Sequence, residues 1–296
     1  ANALRSLPAC AFTALSQVIL DDNPLHNLTP DFLADHVATL RAVSADNLPL
    51  STFPTDLLRL ALPSVVTLSL SNSLSTLNDS TTSLFTALLD AAPHGASLPL
   101  TSLSFAGALG GATSLPDSLC TTFPNLTVLI LTDSAFADFN GDAICKCTHL
   151  AVLEAGGQHN HLTRLPPCLA SLASLTTLSL ASNLTDDEVA PLCTRRSNNN
   201  NNNNNDTLPA LPPFGLLDLS HNALVAPPTC LYNLSNSLVL AHNNIVSLTQ
   251  AQISLLLTTS PTLSLSLAHN ALVGPVPAVV GELPAAPLSP VLSLDL

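Results

Sequence analysis

Three histidines carry the most distinctive chemistry in the sequence: His221, His242 and His269, in Ser220-His221-Asn222, Ala241-His242-Asn243 and Ala268-His269-Asn270. Imidazole is the side chain whose ordinary pKa lies inside the physiological range. Three imidazoles held together resist simultaneous protonation near pH 6, because each new charge meets the others. Such a group could sense pH or capture a metal ion; the plainer reading is a polar position copied by duplication, without function. Cys145-Lys146-Cys147-Thr148-His149, followed by His159-Asn160-His161, offers the ligand types of a zinc site. Asp138-Phe139-Asn140-Gly141-Asp142 offers calcium-loop oxygens. Its glycine stands fourth instead of sixth, so EF-hand geometry fails and a tight turn is expected. No G-x-S-x-G, H-E-x-x-H, P-loop or dinucleotide fingerprint occurs in the sequence. No catalytic residue, cofactor or metal is assigned, and the chain reads as a non-enzyme.

What these groups can do depends on the elements that carry them. One pattern, L-x-x-L-x-L-x-x-N-x-L, recurs along the chain, as in Leu15-Ser-Gln-Val18-Ile-Leu20-Asp-Asp-Asn23-Pro-Leu25 and Phe214-Gly-Leu-Leu217-Asp-Leu219-Ser-His-Asn222-Ala-Leu224. A third copy is Leu175-Thr-Thr-Leu178-Ser-Leu180-Ala-Ser-Asn183. Taking the fourth position as anchor gives Val18, Val43, Leu68, Leu103, Leu129, Leu153, Leu178, Leu217, Leu238, Leu265 and Leu292. Apolar residues at the fourth and sixth positions alternate with polar ones, the period-2 pattern of a half-buried strand. The asparagine falls where the strand ends, and its amide can satisfy backbone groups buried between stacked turns. Asn23, Asn183, Asn222, Asn243 and Asn270 hold that place; Leu48, Ser73, Ala108, Ser134 and Gln158 replace it in the middle repeats, where a less regular ladder is expected.

This pattern resembles the leucine-rich-repeat family over essentially the whole chain. The resemblance implies an α/β solenoid of about eleven repeats: a curved horseshoe with a parallel β-sheet on its concave face and an irregular, short-helix convex side. Leu272-Val-Gly274-Pro-Val-Pro277 resembles the L-x-G-x-I-P signature of plant-type repeats, which implies a secreted protein or an ectodomain. Two spacings are long. The first contains Ser83–Ala92, expected to form a convex-side helix, and the second contains eight consecutive asparagines, Asn198 to Asn205. Residues 194–210 are therefore expected to form a disordered insertion loop, since poly-Asn buries no apolar area to offset ordering. The whole chain, 1–296, reads as a single solenoid with that loop inserted in it. Leu4-Arg-Ser-Leu7-Pro8 resembles the convex half of a repeat, and Leu292-Ser-Leu294-Asp-Leu296 stops within a strand motif, so a fragment lacking both capping units is expected. Thr29-Pro30-Asp31 should start a short helix. Leu115-Pro-Asp-Ser-Leu119 and Leu165-Pro-Pro-Cys-Leu169 form a second convex-side motif.

On this frame each of the three histidines lies four residues past its anchor, so they should stack at one edge of the concave face. Cys147 and His159 lie on opposite sides of the strand expected from Leu150 to Ala155, roughly 20 Å apart at about 3.3 Å per residue, which argues against a shared zinc. One residue past each anchor, facing outward, lie Ile19, Ser44, Ser69, Ser104, Ile130, Glu154, Ser179, Asp218, Val239, Ser266 and Ser293. Candidate binding residues are Ser44, Ser69, Ser104, Glu154, Ser179, Asp218, His221, His242 and His269. The stripe carries no Trp, Tyr or Arg, the usual anchors of protein interfaces.

Composition narrows the partners. Hydrophobic residues are 47% and aromatics 3%, so the core must be many thin Leu, Ala and Val layers. The formal net charge is −13, with seven Lys and Arg and none after Arg196, which argues against nucleic acid and against an anionic membrane surface. No run of about 18 apolar residues could span a bilayer. Cys120, Cys145, Cys168 and Cys193 each fall 15 to 17 residues past the preceding anchor and should stack on the convex side. They are either buried thiols or bridges, bridges being favoured by secretion, and the odd total of seven leaves at least one unpaired within the chain. Glycosylation candidates are Asn27, Asn78, Asn125, Asn205 and Asn233, a number no higher than chance gives; a sixth sequon asparagine, Asn183, is expected to be buried in the ladder. Three functions fit. The first is a non-catalytic recognition or scaffold module, extracellular or at the cell surface, binding a protein or glycan partner. The second is a structural subunit that self-assembles in an extracellular coat, wall or filament. The third is the non-catalytic region of a larger receptor-like enzyme. Reduced thiols without glycan would place the chain in the cytoplasm instead.

Overall fold

A Leu-x-Leu pair recurring every two dozen or so residues can bury only a thin apolar layer, which is stable when another such layer lies against it. The computed structural model describes residues 3–7, 15–32, 38–73, 84–93, 97–108, 114–195, 211–249, 251–252, 264–273 and 293–295. The chain divides into two compact units, residues 1–161 and 162–296.

In the first unit six three-residue strands pair in parallel and in chain order: β1 (Gln17–Ile19), β2 (Ala42–Ser44), β3 (Thr67–Ser69), β4 (Ser102–Ser104), β5 (Val128–Ile130) and β6 (Val152–Glu154). The anchors Val18, Val43, Leu68, Leu103, Leu129 and Leu153 are in register and buried. Short helices return the chain: α1 (Thr55–Ala61), α2 (Leu84–Ala91), α3 (Leu119–Thr122) and α4 (Gly141–Cys145), each packing on the next. The helix expected in the first long spacing is α2, which buries Leu84, Phe85, Leu88 and Ala91. Its Phe85 meets Phe105 edge-on at 5.5 Å, so one of the few large side chains fills the volume behind that spacing. The Thr29-Pro30-Asp31 signal yields a 3-10 turn over Pro30–Phe32. Asp138–Asp142 runs into α4 through Asn140, which has a φ of 44°, in keeping with the tight turn expected there.

The second unit holds β7 (Thr177–Ser179), β8 (Phe214–Asp218), β9 (Ser235–Val239), β10 (Ser264–Ser266) and β11 (Ser293–Asp295), again parallel and in order. Its return segments include 3-10 turns at Pro167–Ser171, Ala190–Thr194 and Thr229–Asn233 and a short helix, α5 (Asp186–Val189). The L-P-x-x-L motif is such a turn: the Leu169 amide donates to the Pro166 carbonyl at 3.1 Å, as Leu119 does to Pro116. One register differs from the sequence reading. Leu265 pairs with Leu294, not Leu292, so Asp295 and not Ser293 occupies the position one past the last anchor. The poly-Asn segment from 196 to 210, Gly274–Pro277 and Cys10 lie outside the described residues.

Behind most of the strands the chain makes the same turn. Four residues past the anchor the backbone is left-handed at Asp22, Asn47, Asn72, Asp133, His221, His242 and His269, with φ between 54° and 59°. Asn, Asp and His tolerate this region better than other non-glycine residues. Glycine fills the same slot at Gly107 and Gly157, and there a Cβ would run into the Asn72 and Asp133 side chains respectively. Beneath lies the polar ladder. Asn222 accepts from the Ser182 and Leu184 amides at 3.0 and 2.8 Å and donates to the carbonyls of Leu180 and Leu219 at 2.6 and 2.9 Å. Asn243 and Asn270 repeat this, each bonding its own turn and the turn before.

Two ladder expectations need correction. Asn183 does not serve: it is exposed, with a φ of 61°, because the β7 turn reaches left-handed backbone one residue late and buries Ser182 instead. The middle repeats are also better sealed than their sequence implies. Ser73 bonds the Ala45 carbonyl and accepts from the Leu48 amide, and Ser134 donates to the Phe105 and Thr132 carbonyls at 2.7 and 3.2 Å. Gln158 points to solvent while Asn160, two residues on, is fully buried and makes five bonds, to Ser134, Phe136, Leu131, Ala155 and Gly156.

Candidate recognition face

The side chains one past each anchor leave the sheet on its open side, set in a row by the strand register. In the first unit Ile19 is exposed, Ser44, Ser69, Ile130 and Glu154 are half-buried, and Ser104 is buried. Its hydroxyls are tied down. Ser44 donates to Asp21 at 2.7 Å and Ser69 to Asp46 at 2.6 Å, and each carboxylate also accepts a backbone amide of the next turn, Asp46 and Ser71 respectively. Ser104 shares a 2.7 Å bond with Ser71. In the second unit Ser179, Asp218, Val239 and Ser266 are half-buried, and Ser179 donates to Asp218 at 3.2 Å. The result is a small, polar, mildly acidic and pre-ordered surface. Ordering it beforehand lowers the entropy lost on contact with a partner.

At the edge of the second unit the three histidines come together. The rings of His221 and His242 lie 4.2 Å apart and 9° from parallel; those of His242 and His269 lie 4.3 Å apart and 13° from parallel. All three are exposed. Partial desolvation, and then the charges of His221 and His269, hold the middle imidazole, His242, below its ordinary pKa. In this stacked arrangement the three rings do not converge on a common metal position. Lone pairs of parallel rings point along parallel planes and do not converge on one ion, and among the described residues no group of three His, Cys, Asp or Glu could hold a metal.

Six of the seven cysteines form bridges, Cys10 lying outside the described residues, and for those six the structure resolves the choice between thiol and disulfide that spacing left open. Cys120 pairs with Cys147 and Cys193 with Cys230, at Cα separations of 5.1 and 5.6 Å; Cys145 and Cys168 are disulfide-bonded as well. Cys145 and Cys147 are therefore not thiolate ligands. His159 is engaged elsewhere, with its Nδ1 3.2 Å from Asp133. Of the sequon asparagines, Asn27 and Asn125 are exposed and Asn233 is half-buried, while Asn78 and Asn205 lie outside the described residues. Asn183, expected to be buried, joins the exposed group.

Three features have no clear signal in the sequence. Asn160 lies two places off the repeat pattern. Val225, Val246 and Val273 are exposed at 46, 42 and 77%, each eight residues past its anchor. Arg195 is buried without a carboxylate: it donates to the carbonyls of Pro212, Leu172 and Leu175 at 2.9 to 3.3 Å and lies 4.0 Å over the Phe214 ring. Burial draws the pKa of its guanidinium below the ordinary value.

A parallel, strand-per-repeat sheet backed by short helical returns defines a solenoid, and comparison with solved structures gives its type. No protein-family model matches the sequence, and no curated protein does. A Leptospira interrogans leucine-rich-repeat protein matches 95% of this chain and 72% of its own at a TM-score of 0.56 and 19% identity. The internalin inlF of Listeria monocytogenes matches over 93% and 72% at 0.54 and 20%, and FLRT2, in an octameric complex with Latrophilin 3 and Unc5D, over 91% and 73% at 0.55 and 17%. The chain has the leucine-rich-repeat fold. Among the described residues no helix is long and apolar enough to cross a membrane.

Proposed function

We propose that this chain is a non-catalytic recognition module of an extracellular or cell-surface protein, taking a protein partner on the open face of its strands. The observation that carries the reading is the row of side chains that each unit sets at one register, Ser44, Ser69 and Glu154 in the first and Ser179 and Asp218 in the second, with the four other than Glu154 held by side-chain hydrogen bonds. Oxidised cysteines support an oxidising compartment. The assembly of FLRT2 with Latrophilin 3 and Unc5D supports a protein ligand for this fold. Exposed Asn27 and Asn125 are the glycan positions we assign, and they should deamidate on glycosidase release from the secreted protein.

The test is an array of purified extracellular domains beside a glycan array, each probed with the chain and with S69R and E154R variants. Protein hits that both variants weaken tenfold or more, about 1.4 kcal/mol each, support the reading. Hits confined to glycans, or protein hits indifferent to both variants, overturn it. Concentration-dependent filaments without array hits would point to the structural-subunit reading instead.

A further inference from the structure

We propose that the column of His221, His242 and His269 is a docking site for an acidic peptide segment of a partner protein, filled as the pH falls through the histidine range. This extends the recognition reading in one respect, that the partner is a protein.

The first ground is a contrast between the two units at one position of the repeat. In the first unit the left-handed slots close among themselves: Asn47 donates to Asp22, and Asn72 to Asn47, both at 3.0 Å. In the second unit the slots hold imidazoles stacked face to face, and no hydrogen bond involves their ring nitrogens among the described residues, whereas His26 and His159 bond Pro49 and Asp133. Six unclaimed ring nitrogens therefore lie along one exposed edge.

The second ground is charge. No Lys or Arg and no other His follows Arg196, so these three side chains are the cationic groups that acidification through the histidine range creates in the last hundred residues. The charges acting on His242 are those of His221 and His269. The one carboxylate on β8, β9 or β10 is Asp218, and its oxygens accept from Ser179 and the Ser220 amide. Asp186 accepts from the Val225 and Ala226 amides at 2.8 to 3.3 Å, and among the described residues neither carboxylate bonds a column imidazole.

The third ground is rigidity. The His221 and His242 amides donate to the Ala241 and Ala268 carbonyls at 3.0 and 2.9 Å, and Asn222, Asn243 and Asn270 pin the next residue of each turn. These bonds hold the three slots at their spacing, and an anion lying along the charged rings would relieve their repulsion. Carboxylates accept strong, charge-assisted bonds from imidazolium N–H groups. The same three repeats expose Val225, Val246 and Val273, which suits a segment mixing acidic and apolar side chains better than a sulfated sugar. Bound carboxylates favour the protonated rings, so binding takes up protons and tightens as pH falls. His242, held below its ordinary value, charges last.

The experiment measures the affinity of the intact chain for a fluorescent Asp-Val-Asp-Val-Asp peptide at pH 5.5 and 7.5. Aspartates remain ionised at both values, with an ordinary pKa of about 3.9, while histidines near 6.5 do not. Binding should be about tenfold or more tighter at pH 5.5. H221N, H242N and H269N combined place in each slot the residue type found at Asn47 and Asn72, so the fold should survive while the pH dependence disappears. Equal affinity at both pH values, or unchanged pH dependence in the triple variant, would falsify the proposal. Binding of a heparin hexasaccharide but not the peptide overturns the choice of ligand. NMR titration should show His242 protonating after its neighbours; three identical, independent titrations count against a coupled column. These readouts do not use the strand-face variants, so failure here and failure of the recognition reading are told apart.

Discussion

Tyr232, the only tyrosine in the chain, is fully buried, and its hydroxyl has no hydrogen-bond partner among the described residues. A buried, unpaired polar group costs about 1–3 kcal/mol. Y232F should therefore raise stability by about 1 kcal/mol by denaturant midpoint, where an ordinary core truncation would lower it. Burial, and then the nearby Asp186 carboxylate, push the Tyr232 pKa well above its ordinary value. A folded pKa raised above the unfolded one contributes stability that is whole below the unfolded value, near pH 10, and is lost as pH climbs past it. Wild type should weaken above pH 10 more steeply than Y232F. The ladder asparagines give a second contrast. The pattern marks Asn183, yet that residue is exposed, whereas off-pattern Asn160 carries five buried bonds. N160A should cost about 2–4 kcal/mol, and N183G, which keeps the left-handed backbone without strain, less than about 0.5. Equal losses would refute the assignment.

At the scale of elements, ten of the eleven strand anchors were legible from Leu-x-Leu spacing, because period-2 burial permits few registers. The eleventh was not, and the reason is physical. Leu292-Ser-Leu294-Asp-Leu296 alternates, so a slip of two residues keeps the same face inward and the pattern cannot choose. The returns were legible where they were helical, as at α2, and where a proline fixed a turn, as at Pro166. The histidine column followed from spacing as well, since a position fixed relative to its anchor is fixed in space. Arg195 was not legible: it falls inside the loop expected over 194–210, yet its guanidinium bonds carbonyls from residues 172, 175 and 212. It thus ties the stem of the poly-Asn segment to the unit's own return turns. R195A would leave those carbonyls unpaired and should lower stability by about 2–4 kcal/mol. Deleting Asn198 to Asn205 should change it by less than about 1 kcal/mol, since doubling a loop costs about 0.6 kcal/mol. A deletion as damaging as R195A would show that the asparagines themselves contribute to the fold.

At the scale of the molecule, the chain builds its core from thin aliphatic layers, with 3% aromatic residues and a net charge of −13. Each layer is weakly self-sufficient, so crosslinks between neighbouring returns matter more here than in a globular core of the same length. Cys120–Cys147 spans 27 residues of the first unit and Cys193–Cys230 spans 37 of the second. Closing loops of those lengths removes unfolded-state entropy worth about 3–4 kcal/mol each, in the chain-entropy account. Each bridge should therefore stabilise the unit that holds it. In hydrogen exchange C120S/C147S should speed opening of β4–β6 far more than of β8–β9, and C193S/C230S should do the reverse. The six bridged cysteines should resist alkylation of the unfolded, unreduced chain and react after reductant, with the melting temperature falling in step. Six thiols alkylated without reductant, or an unchanged melt in its presence, would remove both the stabilising role of the bridges and the main support for an oxidising compartment.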